Sequence, residues 1–291
     1  MSLFNYLEQT PSAFVAATFV LGLLVGSFLN VVILRLPRML EREWRTQCRE
    51  LLESAAASPA PAERFDLLWP PSHCPDCGHR LRPWENIPLV SYLFLRGRCS
   101  GCGARISPRY PLIELITAVL SAGVAWHFGY GLAALAGLVL TWALLALSVI
   151  DLEQQILPDV ITLPLLWLGL LLSLTGVFSD PQASIIGAAA GYLCLWAIYH
   201  GFRLLTGKEG MGYGDFKLLA MLGAWLGWQV LPVIILLSSL TGAVVGIAMV
   251  LALGRDRNVP IPFGPFLAAA GWLAMLWGDR LIAVYLRAAG L

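Results

Sequence analysis

Charge is what this sequence has least of. Only 13% of its 291 residues are Asp, Glu, Lys or Arg, about half the share of an ordinary soluble domain. That scarcity excludes a water-soluble globular fold, because 58% of the residues are hydrophobic and the mean hydropathy is +0.74. The net charge of +1 gives no general attraction to nucleic acid. Short alternating segments of the kind that build a membrane β-barrel are also missing. The apolar runs are continuous instead, and several approach the roughly 20 residues that cross a bilayer as a helix. Residues 1–12 hold no Lys or Arg, whereas a secretory signal has a positive n-region. The run from Phe14 to Leu34 therefore reads as a retained first span. No Gly-Lys-Ser/Thr follows the Gly-rich stretch at 210–214, which argues against a phosphate cradle.

What is present is an all-α polytopic membrane protein. The first span is expected at about 13–34. Further apolar runs lie at about 112–128, 131–150, 160–178, 183–204, 217–229, 231–253 and 265–286, making about eight transmembrane helices. The run at 217–229 is short and would need bilayer thinning. Three parts follow: 1–34, the first helix; 35–110, a polar cytoplasmic region; and 111–291, a seven-helix membrane domain. Residues 35–110 hold twelve of the nineteen Lys and Arg, and Arg203, Lys208, Lys217, Arg255 and Arg257 fall on the same side of an eight-span topology. Only Arg280 and Arg287 fall opposite. Basic residues stay cytoplasmic, so both termini are expected outside and these loops inside.

Within 35–110, Leu40, Trp44, Cys48, Leu51 and Leu52 share one helical face among charged neighbours, the pattern of a surface-lying amphipathic helix. Residues 55–63 are rich in Ala, Pro and Ser and read as a linker. Cys74-x-x-Cys77-Gly78 and Cys99-x-x-Cys102-Gly103 form two knuckles 21 residues apart. Four thiolates in that pattern suit a structural zinc ion, which lets a domain too small for its own core stay folded. Disulfides are the alternative, disfavoured in a reducing cytoplasm. His73 and His79 flank the first knuckle and read as supporting or surface groups, ligation being the lesser alternative. Cys48 and Cys194 have no partner spacing and read as ordinary buried thiols.

Two acids stand at membrane helix ends on the cytoplasmic side. Asp215 lies in Gly210-Met211-Gly212-Tyr213-Gly214-Asp215-Phe216-Lys217, and Asp151 closes the third span. An acid near a bilayer core marks a functional site by default. Two close carboxylates share one proton, so one can activate water while the other polarises a carbonyl. Gly212 and Gly214 leave the backbone open to close approach by a peptide. Glu153 and Asp159 rival Asp151, although Asp159 after Pro158 has the grammar of a helix cap. The proline-rich turn at 260–265 either shapes the rim of this site or merely connects two helices. Gly22-x-x-x-Gly26 suits close helix packing. Ser27 and Asn30 are polar groups inside an apolar helix and need partners or a ligand. Glu114 is a further polar intruder near the same face, or a helix-start acid favoured by the dipole.

Taken together, these residues resemble the bacterial type IV prepilin peptidases, a family of Gly-x-Gly-Asp aspartic peptidases. The resemblance spans essentially the whole chain. It is carried by Gly26-Ser27-Phe28-Leu29-Asn30-Val31-Val32, Arg35-Leu36-Pro37, the Cys-x-x-Cys knuckles, Arg82-Pro83-Trp84-Glu85-Asn86-Ile87-Pro88, Arg109-Tyr110-Pro111-Leu112-Ile113-Glu114, Asp151, Leu157-Pro158-Asp159 and Gly212-Tyr213-Gly214-Asp215-Phe216-Lys217. It implies a bifunctional enzyme of type IV pilus and type II secretion systems, in the bacterial cytoplasmic (inner) membrane. Asp151 and Asp215 would be the catalytic pair. The substrates would be prepilins or pseudopilins, cut after the Gly that ends a short basic leader, usually before Phe. The new N-terminal amine would then be methylated with S-adenosylmethionine. No strand–glycine–helix unit for a Rossmann-type cofactor site is visible. Ser27, Asn30, Glu85, Asn86 and Glu114 are the residues expected at the methyltransferase site. The competing reading is a transporter with proton-relay carboxylates; it predicts internal repeats and midplane acids, and neither is evident. A scaffold whose knuckles bind partners leaves the two acids unexplained.

Overall fold

The computed structural model describes residues 3–52, 64–208, 210–253 and 261–290. The expected linker at 55–63, and Arg255 and Arg257, lie outside these. Among the described residues the regular elements are helices, with no strand beyond two isolated antiparallel bridges, His73 with Arg80 and Arg98 with Arg105. The chain divides into two compact units, Met1–Gly129 and Tyr130–Leu291.

In the first unit, α1 (Leu3–Gln9) leads into α2 (Pro11–Leu52). At about 1.5 Å per residue α2 is about 63 Å long, far more than a bilayer needs. The expected break near Leu34 and the separate surface helix after it are not there: the helix runs through Pro37 without interruption. Beyond Arg38, Leu40 is half-buried while Trp44, Leu51 and Leu52 are exposed. Cys48 is exposed too, contrary to its reading as a buried thiol. Its membrane portion packs on α4 (Arg109–Phe128). A Cβ on Gly22 would fall 2.6 Å from the Cα of Ala118, and one on Gly26 would fall 2.7 Å from the Cα of Glu114. The small-residue spacing thus brings two backbones together, as expected. Between them lie the knuckles and the short α3 (Val90–Phe94).

The second unit holds α5 (Leu132–Gln154), α6 (Asp159–Ser173), α7 (Pro181–Thr206), α8 (Tyr213–Leu226), α9 (Leu231–Leu253) and α10 (Gly264–Ala289). Among the described residues six helices are long and apolar enough to cross a membrane: α2, α4, α5, α7, α9 with its leading turn, and α10. The chain is therefore a multi-pass membrane protein. The runs expected at 160–178 and 217–229 are the shorter α6 and α8, of 15 and 14 residues. Helix α8 is the centre of the unit. Every residue from Leu218 to Leu226 is buried, against α6, α7, α9 and α10. Glycine makes this enclosure tight: a Cβ on Gly223 would lie 2.2 Å from the Gly187 carbonyl oxygen on α7. The Trp225 indole donates to the Leu165 carbonyl of α6 at 2.7 Å, so the one polar atom of that ring is satisfied inside the helix bundle.

Candidate functional site

Two polar constructions stand out, one in each unit. The first is built where α5 ends and α8 begins. Asp151 lies in the last turn of α5 and Asp215 in the first turn of α8; both are buried. Each carboxylate is held by one backbone N–H. Gly264, the first residue of α10, donates to Asp151 Oδ2 at 3.0 Å. Gly212 donates to Asp215 Oδ2 at 3.2 Å, while Asp215 N–H returns to the Gly212 carbonyl at 3.2 Å. Those two bonds close the first turn of α8 and satisfy a helix-end N–H. The glycines beside them, Gly214 and Gly264, both abut Leu157, so the two acids belong to one site. Leu157 seals the gap: a Cβ on Gly214 would fall 2.8 Å from its Cβ, and one on Gly264 would fall 3.2 Å from its Cδ1.

The rivals of Asp151 are elsewhere. Glu153 is exposed. Asp159 is not a cap; Pro158 holds that position, and Asp159 is the first helical residue of α6. Its carboxylate takes both bonds of the Lys217 ammonium, at 2.6 and 2.8 Å. This ion pair ties the start of α6 to α8 one half-turn beyond Asp215. Sequence reasoning missed Gly264. The proline-rich turn signals a stiff connection, but nothing in it shows that its glycine meets an acid 113 positions earlier.

The second construction starts from the knuckles. The four Sγ atoms of Cys74, Cys77, Cys99 and Cys102 all lie within 4.8 Å of one another. Cys74 to Cys102 is 3.9 Å and Cys77 to Cys99 is 4.0 Å. A disulfide needs about 2.05 Å, whereas a tetrahedron of sulfurs about 2.3 Å from a zinc ion has edges near 3.8 Å. The cluster thus fits a closed four-thiolate metal site and not the disulfide alternative. Gly78 and Gly103 turn each knuckle at φ +71° and +73°, a conformation glycine adopts freely. The Gly101 N–H donates to the Cys99 sulfur at 3.4 Å, a bond that suits a metal-binding thiolate. Among the described residues neither His73 nor His79 joins the cluster. His79 instead bonds Glu85 at 3.1 Å and Ser100 at 3.2 Å.

A cavity of about 540 Å³ opens beside the knuckles. Its lining includes all five residues expected at the methyltransferase site: Ser27, Asn30, Glu85, Asn86 and Glu114. Arg35 braces one wall by donating to the carbonyls of Asp66 and Pro70 at 3.0 and 2.6 Å. The two acids differ. Glu85 accepts from the Arg82 N–H at 2.8 Å and the Ser100 hydroxyl at 2.7 Å, as well as meeting His79. These donors, the Arg82 N–H foremost, hold its carboxyl down to about 2. Glu114 sits deeper, between α2 and α4, and accepts the Ser27 hydroxyl and, at 2.9 Å, the Leu89 N–H. Leu89 is the centre of a tight turn at φ +59°, closed by Val90 N–H to Pro88 carbonyl at 2.6 Å. Such turns are strained, and this one aims its N–H at the acid.

The Type IV leader peptidase family model matches residues 138–247, and the Bacterial Peptidase A24 N-terminal domain model matches residues 20–128. The chain is 57% identical over 291 residues to the prepilin leader peptidase/N-methyltransferase of Pseudomonas aeruginosa, covering 100% of this chain and 99% of the relative. It is 58% identical over 287 residues to the protein of that name from Stutzerimonas stutzeri, covering 99% of each. It is 55% identical over 283 residues to that of Pseudomonas putida, covering 97% of each. The chain belongs to the type IV leader peptidase family. No solved structure matches it. The two matched segments each enclose one of the two constructions, the dyad in 138–247 and the knuckles with their cavity in 20–128. The family supports an enzyme with two activities, not the transporter alternative.

Proposed function

We propose that the chain removes the basic leader of type IV prepilins and pseudopilins with the Asp151–Asp215 pair and then methylates the exposed N-terminus. The observation that carries the peptidase reading is the shared burial of two acids, each fixed by a single glycine N–H. Geometry of that kind leaves the remaining oxygens for water and substrate. One member, ionised, takes a proton from water as it attacks the scissile carbonyl carbon. The other, protonated, gives its proton to the carbonyl oxygen. Collapse of the tetrahedral species breaks the C–N bond: the amine leaves with the proton held by the first acid, and a hydroxyl proton of the diol returns to the second, which restores the pair. No metal enters these steps. Gly212 has open space where a side chain would otherwise stand, its nearest neighbour to an added Cβ being 3.9 Å away. That suits an extended substrate backbone beside Asp215.

The cavity beside the knuckles is the proposed methyltransferase site. Its volume lies in the range of small-molecule sites. S-adenosylmethionine bound there would supply an electrophilic methyl group. Zinc held by Cys74, Cys77, Cys99 and Cys102 would have no open position, so its role is to hold the cavity wall, to which Cys74 and Cys99 contribute. The chain would lie in the cytoplasmic (inner) membrane with both termini periplasmic and both sites cytoplasmic, where a basic leader is retained. Membrane lipid surrounds it, and no nucleic acid partner is implied.

Full-length protein in detergent tests the reading. Asp151→Asn and Asp215→Asn should each lower prepilin cleavage by about 10²-fold or more, while a pre-cleaved peptide is still methylated. Wild-type cleavage by Asp151→Asn would remove the dyad and return Glu153 to consideration.

A further inference from the structure

Resting on the methyltransferase reading above, we infer that Glu114 and Asn30 form the seat of the substrate's N-terminal amine, and that Glu114 takes the proton the amine must lose before methyl transfer.

Three observations converge on this end of the cavity. Asn30 is 4% exposed and lines the cavity. Its amide nitrogen donates to the Gly26 and Tyr110 carbonyls at 3.2 and 3.1 Å, which fixes the orientation of the amide. Its Oδ1 is buried with no hydrogen-bond partner among the described residues. A buried acceptor left unpaired is costly, so the site is built to receive a donor. Glu114 is 8% exposed and lines the same cavity. Its two donors, Leu89 N–H and the Ser27 hydroxyl, leave acceptor capacity on a group with about four lone-pair positions. An orphan carbonyl oxygen and an under-filled carboxylate on residues that line one cavity ask for a group with several N–H donors and positive charge. A primary ammonium meets that demand.

The other acidic and basic side chains lining the cavity do not compete. They are Arg35, Arg38, His73, Asp76, Glu85 and Arg105. The arginines repel an ammonium, Arg35 being committed to the Asp66 and Pro70 carbonyls; Glu85 already holds three donors where Glu114 holds two, and Asp76 is exposed to solvent. The acid end also lies against the two membrane helices α2 and α4, where the apolar body of a membrane-anchored substrate would lead its N-terminus. The chemistry balances. The ammonium gives a proton to the Glu114 carboxylate. The freed nitrogen lone pair forms the N–CH₃ bond as the methyl–sulfur bond of the sulfonium donor breaks. A methylammonium and a neutral thioether result, and Glu114 releases its proton to water.

The test uses full-length protein in detergent, a pre-cleaved peptide with a free N-terminal Phe, and radiolabelled S-adenosylmethionine. Glu114→Gln keeps an acceptor for Leu89 and Ser27 but cannot take a proton. Methylation should fall by about 10²-fold or more, with donor affinity, zinc content and prepilin cleavage within twofold of wild type. Its residual rate should climb as pH passes the amine's own pKa of about 7.7–8.0, because free amine then needs no base. Asn30→Ala should raise the KM for the peptide severalfold and leave donor affinity alone. Wild-type methylation by Glu114→Gln overturns the inference, and so does loss of donor binding in place of turnover, which would assign this end to S-adenosylmethionine. Should Glu114→Gln lose zinc and cleavage together, it is misfolded, and the KM of Asn30→Ala decides. A wild-type protein that fails to methylate would overturn the methyltransferase reading itself.

Discussion

At the scale of the residue, Gly264 shows how little separates a positioned acid from a displaced one. Its N–H holds Asp151 Oδ2, and a Cβ added to it would fall 2.6 Å from that same oxygen. No side chain fits unless the carboxylate moves. Displacement of a reacting group by about 1 Å costs on the order of 10²-fold. Gly264→Ala should therefore lower kcat for cleavage by about that factor while methylation of a pre-cleaved peptide is unchanged. A kinetically normal variant would show that the oxygen held by Gly264 plays no part in positioning. Lys217 and Asp159 present the opposite case. Both are partly exposed, 29% and 50% at the side chain, so solvent screens the pair and its worth to stability is at most about 1 kcal/mol.

At the scale of the element, the knuckles and α2 set the cavity between them. The segment 64–70 is tied back to α2 by Arg35, and the Arg42 guanidinium stacks 4.2 Å over the Phe65 ring. On the other side Glu85 joins both knuckles through His79 and Ser100. A metal ion that holds the four thiolates together therefore also holds the cavity wall. Stripping it with a strong chelator, or Cys77→Ser, should abolish binding of S-adenosylmethionine, and zinc restored to the chelated wild type should restore it. Metal analysis beside equilibrium dialysis checks this. Unchanged binding in a zinc-free protein would show a wall that stands alone.

At the scale of the whole molecule, the question is how often the chain crosses the bilayer, and contacts inside the second unit bear on it. Asp151 at the end of α5 faces Asp215 at the start of α8, so both helix ends lie at one level. Between them run α6 and α7. Helix α7, of 26 residues, is long and apolar enough for a span, so on the eight-span proposal the 15-residue α6 carries the chain back. By the same reasoning Gly264 brings the start of α10 to Asp151. Helix α9 is long and apolar enough for a span, so on the eight-span proposal the 14-residue α8 crosses as well. Its enclosure by α6, α7, α9 and α10 supplies what its length lacks. This supports eight crossings with even parity. Labelling with a membrane-impermeant thiol reagent in intact cells should leave Cys48, and a cysteine placed in the 205–208 turn, unreacted. A cysteine at Gly176 should react. Reaction at the 205–208 turn would sink the eight-span topology.

Much of this could be read along the chain because it depends on neighbours. Apolar runs near 20 residues announce helices in lipid, since no other local structure satisfies the backbone there. Two Cys-x-x-Cys-Gly turns place thiolates by local geometry alone. The acids at 151 and 215 were conspicuous because charge is scarce. Tertiary packing decided what neighbours cannot specify. It set which glycine meets Asp151, that Lys217 claims Asp159, that α2 passes through Pro37, and that Asn30 and Glu114 share one cavity with an acceptor unfilled. Those contacts join positions 58 to 113 apart or lie across helices whose approach is set by absent side chains. Sequence fixes where a helix forms; only the packed bundle fixes which of its faces, and which of its polar atoms, meet.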